Sequence, residues 1–162
     1  MGKILVVYDS KTGNTEKMAF AVAEGVRKVG EIDVEVKRVD ETKMEDLQEA
    51  DGIIIGSPTY YGQMSTKIKD LIDRSVDIHG KLEGKVGAAF TSSGGTASGA
   101  ETTLLSIIEA MLIHGMIIQG RSKNKHYGAT AVGSPNRDEV RLCHDLGERT
   151  AKLVLRLTKQ RC

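Results

Sequence analysis

The stretch that decides the fold is YDSKTGNTEKMA, residues 8–19, in which a strand pattern gives way to a helix pattern. Before it, Ile4 to Tyr8 form a continuous apolar run, which is typical of a parallel strand buried on both faces. After it, apolar residues recur at spacings of three and four, as on the buried face of an amphipathic helix: Met18, Val22, Val26 and Val29. The quoted stretch is therefore predicted to contain a strand-to-helix loop.

The composition of this loop points to an anion. The first amides of a helix lack intrahelical acceptors and lie at the positive end of the helix dipole, so they favour a negatively charged group. Gly13 can adopt backbone angles closed to other residues, and the hydroxyls of Ser10, Thr12 and Thr15 can donate hydrogen bonds. A bound phosphate is one interpretation. The alternative is that the Ser and Thr residues only cap the helix, and the other loops of the chain have to decide.

The composition is that of one globular domain. Its 162 residues carry 23 Lys and Arg against 22 Asp and Glu, so neither a nucleic-acid partner nor an acidic surface is expected. No apolar run is long enough to cross a bilayer and no signal-peptide pattern is present, so we expect a cytoplasmic protein without membrane insertion. Cys143 and Cys162 lack metal-ligand spacing; we expect free thiols and no metal site.

Downstream of the loop, strand and helix patterns alternate. Ile32–Val39 is predicted to be an edge strand, Asp51–Ser57 and Lys85–Phe90 central strands, and residues 116–120 and 127–132 the two halves of a fifth strand. The further predicted helices are KMEDLQEA (43–50), TKIKDLIDRSV (66–76) with Ile68, Leu71, Ile72 and Val76 inward, ETTLLSIIEAMLIHG (101–115), and Asn136–Lys159 with Val140, Cys143, Gly147, Ala151, Val154 and Leu157 on one side.

This alternation predicts an α/β protein, with residues 1–162 forming a single three-layer domain around a five-stranded parallel sheet of order 2-1-3-4-5. In such sheets, ligands bind beyond the carboxyl ends of the strands where the strand order reverses. Three strands end in ligand-like loops: SKTGNT (10–15), SPTYYGQMS (57–65) and TSSGGTASG (91–99). Because all three would converge at one edge, the phosphate interpretation is favoured over simple helix capping.

The loops also restrict the kind of phosphate compound. The first loop lacks G-x-x-x-x-G-K-[ST], so a triphosphate with Mg²⁺ is not indicated, and it lacks G-x-G-x-x-G, so a dinucleotide is not favoured. A terminal monophosphate held by neutral donors remains. Tyr60 and Tyr61 follow the third strand, where they can cover a flat ring. The sequence therefore predicts an aromatic mononucleotide.

These residues resemble a known family. SKTGNT is similar to the phosphate loop of flavodoxins, and GSPTYYGQMS…KDLIDR, AFTSSGGTASGAETT and HGM…YGATAV resemble successive motifs of the WrbA-type branch, the flavodoxin-like NAD(P)H:quinone oxidoreductases. The resemblance implies FMN as cofactor. It implies phosphate contacts from Ser10, Lys11, Thr12, Gly13, Asn14 and Thr15, ring and ribityl contacts from Pro58, Thr59, Tyr60, Tyr61 and Gly62, and pyrimidine-edge contacts from Thr91, Ser92, Ser93, Gly94, Gly95, Thr96 and Ala97.

The chain also departs from that branch. It lacks or shortens the branch's long insertions, so the family tetramer does not carry over directly, and the oligomeric state, a homo-oligomer among the alternatives, stays open. It has Ile113-His114 where those members tend to carry paired histidines, and it contains no Trp to cover the substrate site. Tyr61 and His114 are therefore the catalytic candidates, with simple packing or capping as the alternative for His114.

Three functions follow from the resemblance and the charge. The first is an FMN-dependent oxidoreductase that passes electrons from NAD(P)H to a quinone-type acceptor, favoured by the near-neutral charge and by a fourth-strand loop without an aromatic residue. The second is an electron carrier between redox protein partners, and the third is a flavin-sensing interaction module. The basic cluster RSKNKH (121–126) is either a solvated loop or a docking site for a 2′-phosphate or an acidic partner.

Overall fold

The computed structural model describes residues 2–159 as an alternation of strands and helices. In chain order these are β1 (Gly2–Tyr8), α1 (Asn14–Arg27), β2 (Ile32–Arg38), α2 (Met44–Glu49), β3 (Gly52–Pro58), α3 (Thr66–Arg74), β4 (Val86–Ser93), α4 (Ala100–Ile113), β5 (Ile117–Ile118), β6 (Ala129–Val132) and α5 (Arg137–Lys159). Single 3-10 turns follow β2 at Val39–Glu41 and α3 at Ser75–Ile78.

The strands form one parallel sheet in the order β2-β1-β3-β4-β5, so the predicted order 2-1-3-4-5 is confirmed. The predicted fifth strand is divided into two short pieces that both pair with β4. β5 lies beside Val86 and Gly87, and β6 lies beside Phe90–Ser93. Within residues 2–159 the sheet thus has six strands rather than five, because the chain leaves the sheet edge between β5 and β6.

Helices cover both faces of the sheet. Along β1, Ile4 and Val6 pack in the cluster formed with α1 and α5, whereas Leu5 and Val7 pack in the cluster formed with α2, α3 and α4. Since successive strand residues point to opposite faces, a strand buried on both sides must be apolar throughout. The edge strand β2 is only partly buried over most of its length, in agreement with its alternating sequence.

Helices α1 and α5 cross with their backbones in direct contact. A Cβ added to Gly147 would lie 2.0 Å from the carbonyl oxygen of Val22, and one added to Gly25 would lie 2.1 Å from the carbonyl oxygen of His144. No side chain fits at such a distance, so glycine is required at both positions. This contact fixes α1, and with it the loop that precedes α1, against the sheet.

The structure differs from the predicted side-chain direction at Val76 and agrees with it at Val29. Val76, predicted to point inward, is 70% exposed, because α3 ends at Arg74 and the tighter 3-10 turn changes the direction of the following side chains. That prediction was wrong. Val29 lies beyond the end of α1 at Arg27, but it still packs against the core cluster as expected from its spacing.

Cys143 is the free cysteine among residues 2–159, and it is fully buried. Burial, together with the charge of Glu139, raises the pKa of its thiol to about 12, so the thiol stays protonated and unreactive. Cys162, also predicted to be a free thiol, lies outside the described residues. In the part of the chain that the structure describes, no helix has both the length and the apolar character of a membrane span.

His114 lies at the end of α4, where it is half-buried beside apolar residues. The Ser75 hydroxyl donates to the carbonyl of Ile72 at 2.6 Å, so its oxygen accepts from Nε2 of His114 at 2.7 Å. The Nδ1 atom is buried without a partner among the described residues. Burial, and then the charge of His79, lowers the pKa of His114, which favours the neutral ring.

Replacing Gly147 by Ala tests the α1–α5 contact. Helix propensity alone would make Gly147→Ala stabilising by about 1 kcal/mol. The overlap with the Val22 carbonyl forces the helices apart instead, and we expect the free energy of unfolding to fall by about 2 kcal/mol or more in urea titrations. Arg156→Ala, at an exposed position of the same helix, is the control and should change it by less than about 0.5 kcal/mol. A more stable Gly147→Ala protein would contradict the close crossing.

The environment of His114 predicts a pH dependence. Because its folded-state pKa lies below the ordinary value of 6.5, the unfolded chain binds the proton more readily, and stability is lost as the pH falls below that value. His114→Gln keeps a donor toward Ser75 but does not titrate. Between about pH 7 and pH 5, the free energy of unfolding should therefore fall less steeply in His114→Gln than in the wild type. The exposed His126→Gln serves as control, and parallel curves for wild type and His114→Gln would disprove the assignment.

Candidate functional site

The parallel register brings three loops to the same edge of the sheet. Tyr8 of β1 lies beside Gly56 of β3, and Pro58 of β3 lies beside Ser92 of β4, so all three strands end together. The loops after them enclose a cleft of about 280 Å³. It is lined by Ser10, Lys11, Thr12, Asn14, Thr15, Pro58, Thr59, Tyr60, Ser92, Ser93, Gly94 and Gly133. The structure therefore brings together eleven residues that the sequence analysis proposed as ligand contacts, together with Gly133.

The loop Ser10–Thr15 leads into α1 at the edge of this cleft and, from its similarity to the phosphate loop of flavodoxins, is called the phosphate loop below. Gly13 has φ +93° and precedes the first residue of α1, and its own N–H donates to Ser10 Oγ at 3.1 Å. No side chain caps this helix, and the structure gives no acceptor among the described residues to the N–H groups of Asn14, Thr15 and Glu16. Free amides at the positive end of a helix form an anion site.

Thr15 does not cap the helix. It is the second residue of α1, is 1% exposed, and its hydroxyl lies 2.8 Å from Ser92 Oγ at the end of β4. This bond joins the first loop to the third. One of the two hydroxyls uses its single proton in this bond, so one O–H donor and the remaining lone pairs stay available to a ligand in the cleft.

Further polar contacts hold the second and third loops together. The N–H of Thr59 donates to the carbonyl of Ser92 at 2.8 Å, and the hydroxyls of Thr59 and Thr91 lie 2.8 Å apart. Thr91 is completely buried and donates to the carbonyl of Ser57 at 2.6 Å. Thr91 does not line the cleft and its hydroxyl bonds the end of β3, so its pyrimidine-edge contact stays a prediction.

The residues after β3 form a tight turn. Tyr60 and Gln63 exchange two backbone hydrogen bonds of 3.0 Å, and both intervening residues have positive φ, 51° at Tyr61 and 73° at Gly62. This is the geometry of a two-residue type I′ turn. Tyr60 lines the cleft, but Tyr61 is fully exposed and does not line it. Of the two tyrosines expected to cover a ring, Tyr60 therefore lies at the cleft and Tyr61 does not, and the ring contact itself stays a prediction.

The turn rests on the loop after β4. A Cβ added to Gly99 would lie 2.5 Å from the Cα of Gly62, so the two backbones touch. In that loop Gly94 lines the cleft and the Ser93 hydroxyl donates to the carbonyl of Gly95 at 2.9 Å. The other predicted contacts of this loop, Gly95, Thr96 and Ala97, do not line the cleft.

Two other candidates lie away from the cleft. α4 starts next to the site and runs for 14 residues, which at the helical rise places His114 roughly 20 Å from that start. The structure therefore places His114 away from this cleft, where packing at the helix end is the interpretation that fits its position. In the basic cluster, Arg121 is bound to Asp145 at 3.0 Å and to the carbonyl of Asn124 at 2.7 Å, so this guanidinium anchors the loop to α5.

Two contributions to the site were not foreseen from the sequence. Gly133 follows β6 and lines the cleft, where its N–H donates to the carbonyl of Ser93 at 2.8 Å. Arg38 lies beside Tyr8 in the register of β1 and β2, and its guanidinium donates to the carbonyl of Ser10 at 3.0 Å. The 2-1 strand order was the only signal that could have indicated the second contact.

The donors around the cleft fit a phosphate monoester. The lining contains hydroxyls, free amides and one exposed lysine, and no carboxylate that would repel an anion. Across residues 2–159 no cluster of three or more His, Cys, Asp or Glu side chains is suited to a metal ion. The lining is therefore suited to a phosphate held mainly by neutral hydroxyl and amide donors, with Lys11 as its one charged side chain.

Comparisons with known proteins agree with this geometry. A family model described as NADPH-dependent FMN reductase matches residues 41–127. The chain is 41% identical to a flavodoxin of Aquifex aeolicus over 95% of this chain and 88% of that protein. It is 39% identical to an NAD(P)H dehydrogenase (quinone) of Archaeoglobus fulgidus over 97% of this chain and all of that protein.

A solved structure shows the same architecture. The flavodoxin, WrbA-like protein from Agrobacterium tumefaciens superposes with a TM-score of 0.83 at 26% identity, covering 96% of this chain and 99% of that one. The alignment with the Archaeoglobus protein extends over 191 residues, so that relative carries segments that this 162-residue chain lacks. The chain therefore belongs to the flavodoxin-like family of FMN-binding redox proteins, in the WrbA-type branch that includes NAD(P)H dehydrogenases (quinone).

Proposed function

We propose that the protein binds FMN in the three-loop cleft and uses it to transfer electrons from NAD(P)H to a quinone-type acceptor. The observation that carries this proposal is the set of free amides at the start of α1, which open into a cleft without carboxylates. The bound FMN supplies the redox chemistry, accepting a hydride and passing on electrons. The chain itself supplies binding, orientation and access.

The phosphate would be held by the phosphate loop. The amides of Asn14 and Thr15 offer N–H donors, and the hydroxyls of Ser10, Thr12 and Thr15 add to them. Lys11 is exposed and contributes only a screened charge. Pro58, Thr59 and Tyr60 line the part of the cleft expected to take the ribityl chain and ring, with Ser92, Ser93 and Gly94 beside them at the end of β4.

Two observations support a small-molecule electron donor and acceptor. The loop after β4 carries no aromatic side chain, so this side of the cleft is not covered by a flat residue. Tyr61 is fully exposed, so Tyr60 is the one aromatic residue in the described lining of the cleft. A ring bound there would keep one face accessible to a nicotinamide or a quinone.

A carrier function between redox proteins is the second candidate. Its support is the relative from Aquifex aeolicus, which is named a flavodoxin and matches 95% of this chain. The absence of the additional segments found in the Archaeoglobus protein points in the same direction. The near-neutral charge of +1 argues against it, because charge complementarity is what steers protein partners together.

An assay with small molecules separates the two candidates. The FMN-loaded protein should oxidise NADH or NADPH in the presence of a benzoquinone, with ping-pong kinetics, because donor and acceptor use the same open face in turn. The apoprotein is the matched control and should show no turnover. If neither nicotinamide reduces the flavin but a ferredoxin-type protein does, the carrier function is correct instead.

Thr15→Val tests the phosphate loop. It keeps the shape of the side chain and removes the hydroxyl, so FMN should bind roughly ten- to a hundredfold more weakly in fluorescence titrations. Thr150→Val is the matched control, because Thr150, like Thr15, is a buried threonine in a helix. Its hydroxyl donates to the carbonyl of Leu146 in α5, and it does not line the cleft. It should leave FMN affinity unchanged.

The same titration distinguishes hydrogen bonding from simple charge attraction. Lys11→Ala removes an exposed cation from the loop and should weaken FMN less than Thr15→Val does. If Lys11→Ala has the larger effect, the lysine charge holds the phosphate, and the proposed binding by neutral hydroxyl and amide donors is wrong.

A further inference from the structure

We propose that Arg38 is a positioning residue for the phosphate loop and that it sets the preference of this chain for FMN over riboflavin. The inference rests on the proposed FMN site. Arg38 does not line the three-loop cleft, so its effect on a ligand there would be exerted through the loop.

The guanidinium of Arg38 connects the start of the loop to the first turn of the helix that follows the loop. One terminal nitrogen donates to the carbonyl of Ser10 at 3.0 Å, where the loop begins. The other donates to the carboxylate of Glu16 at 3.2 Å, in the first turn of α1. A planar guanidinium with its donors in a fixed fork is suited to holding two acceptors at a set separation.

The guanidinium is itself held in place. The hydroxyl of Tyr8 donates to the same Glu16 oxygen at 2.6 Å, and the Arg38 guanidinium lies 5.5 Å from the centre of the Tyr8 ring. Burial, together with the bond to Glu16, raises the pKa of Tyr8, so the hydroxyl stays protonated and remains a donor. Arg38, Tyr8 and Glu16 therefore form one connected brace beside the loop.

The position of Ser10 determines the direction of the amides. Its hydroxyl accepts the N–H of Gly13 at 3.1 Å, and Gly13 makes the turn at φ +93° that starts α1. Holding the Ser10 backbone thus holds the turn from which the free amides follow. If the brace is removed, the loop gains freedom that FMN binding must then take away, which lowers affinity.

Arg38 also reduces the repulsion between the Glu16 carboxylate and a phosphate at the start of α1. Glu16 lies in the first turn of the helix whose free amides would hold the phosphate. A carboxylate there stabilises the empty helix but opposes a second anion. The ion pair with Arg38 offsets that repulsion. Both contributions concern the end of the site that would hold the phosphate, so their loss should affect FMN more than riboflavin.

Binding of FMN and of riboflavin, measured by quenching of flavin fluorescence, tests the proposal. Riboflavin carries the same ring and ribityl chain without the phosphate. In Arg38→Gln, the Kd for FMN should rise about tenfold or more while the Kd for riboflavin stays within about twofold. Arg38→Lys keeps the charge but not the fork, so its FMN affinity should lie between those of wild type and Arg38→Gln.

Lys67→Gln is the matched control. Lys67 shares a cleft of about 380 Å³ with Arg38 and the start of the loop, but it is paired with Asp40 at 2.7 Å and does not bond the loop. Its removal should leave both affinities unchanged. Equal weakening of FMN and riboflavin in Arg38→Gln, no weakening at all, or an equal loss in Lys67→Gln would overturn the proposal. A wild-type protein that binds no FMN would instead overturn the function on which the proposal rests.

Discussion

The parallel register of β1, β3 and β4 is the constraint on which the site depends. Tyr8, Pro58 and Ser93 end their strands at one edge of the sheet, so the loops that follow have to meet there. The register is itself fixed by burial, because these strands are enclosed on both faces and a shift by one residue would exchange the side chains of the two cores. The cleft is therefore a consequence of core packing.

Hydrogen bonds of buried hydroxyl groups hold the three strand ends and their loops together. Thr15 is bonded to Ser92, Thr91 to the carbonyl of Ser57, and the Ser57 hydroxyl accepts the N–H of Ser65 at the start of α3. A buried polar group without a partner is costly, so each of these bonds resists rearrangement of the loop it anchors. The contact of Gly147 with α1 adds to this resistance on the face of the sheet that α1 and α5 cover.

The sequence predicted the strand order and most of the cleft because both depend on strong, local signals. Continuous apolar runs identify central strands, and loops rich in Gly, Ser and Thr after such strands identify the ligand edge. The side-chain directions were harder to predict. Tyr61 sits at positive φ in a type I′ turn, a conformation that non-glycine residues seldom adopt, so its exposure could not be read from the letters YYG. His114 became a candidate through its position in the family motif, and the 14 residues of α4 carry it away from the cleft.

The division between β5 and β6 has a consequence for how this fold can vary in length. The chain leaves the sheet after β5 and returns at β6 after ten intervening residues. Within this excursion the N–H of Arg121 donates to the carbonyl of His126 at 3.1 Å. With both ends of an excursion held together, added residues mainly increase the entropy lost on closing it, about 0.6 kcal/mol for each doubling of its length. A chain of this design can lengthen or shorten at that edge at small thermodynamic cost, while the three strand ends that form the cleft keep their register.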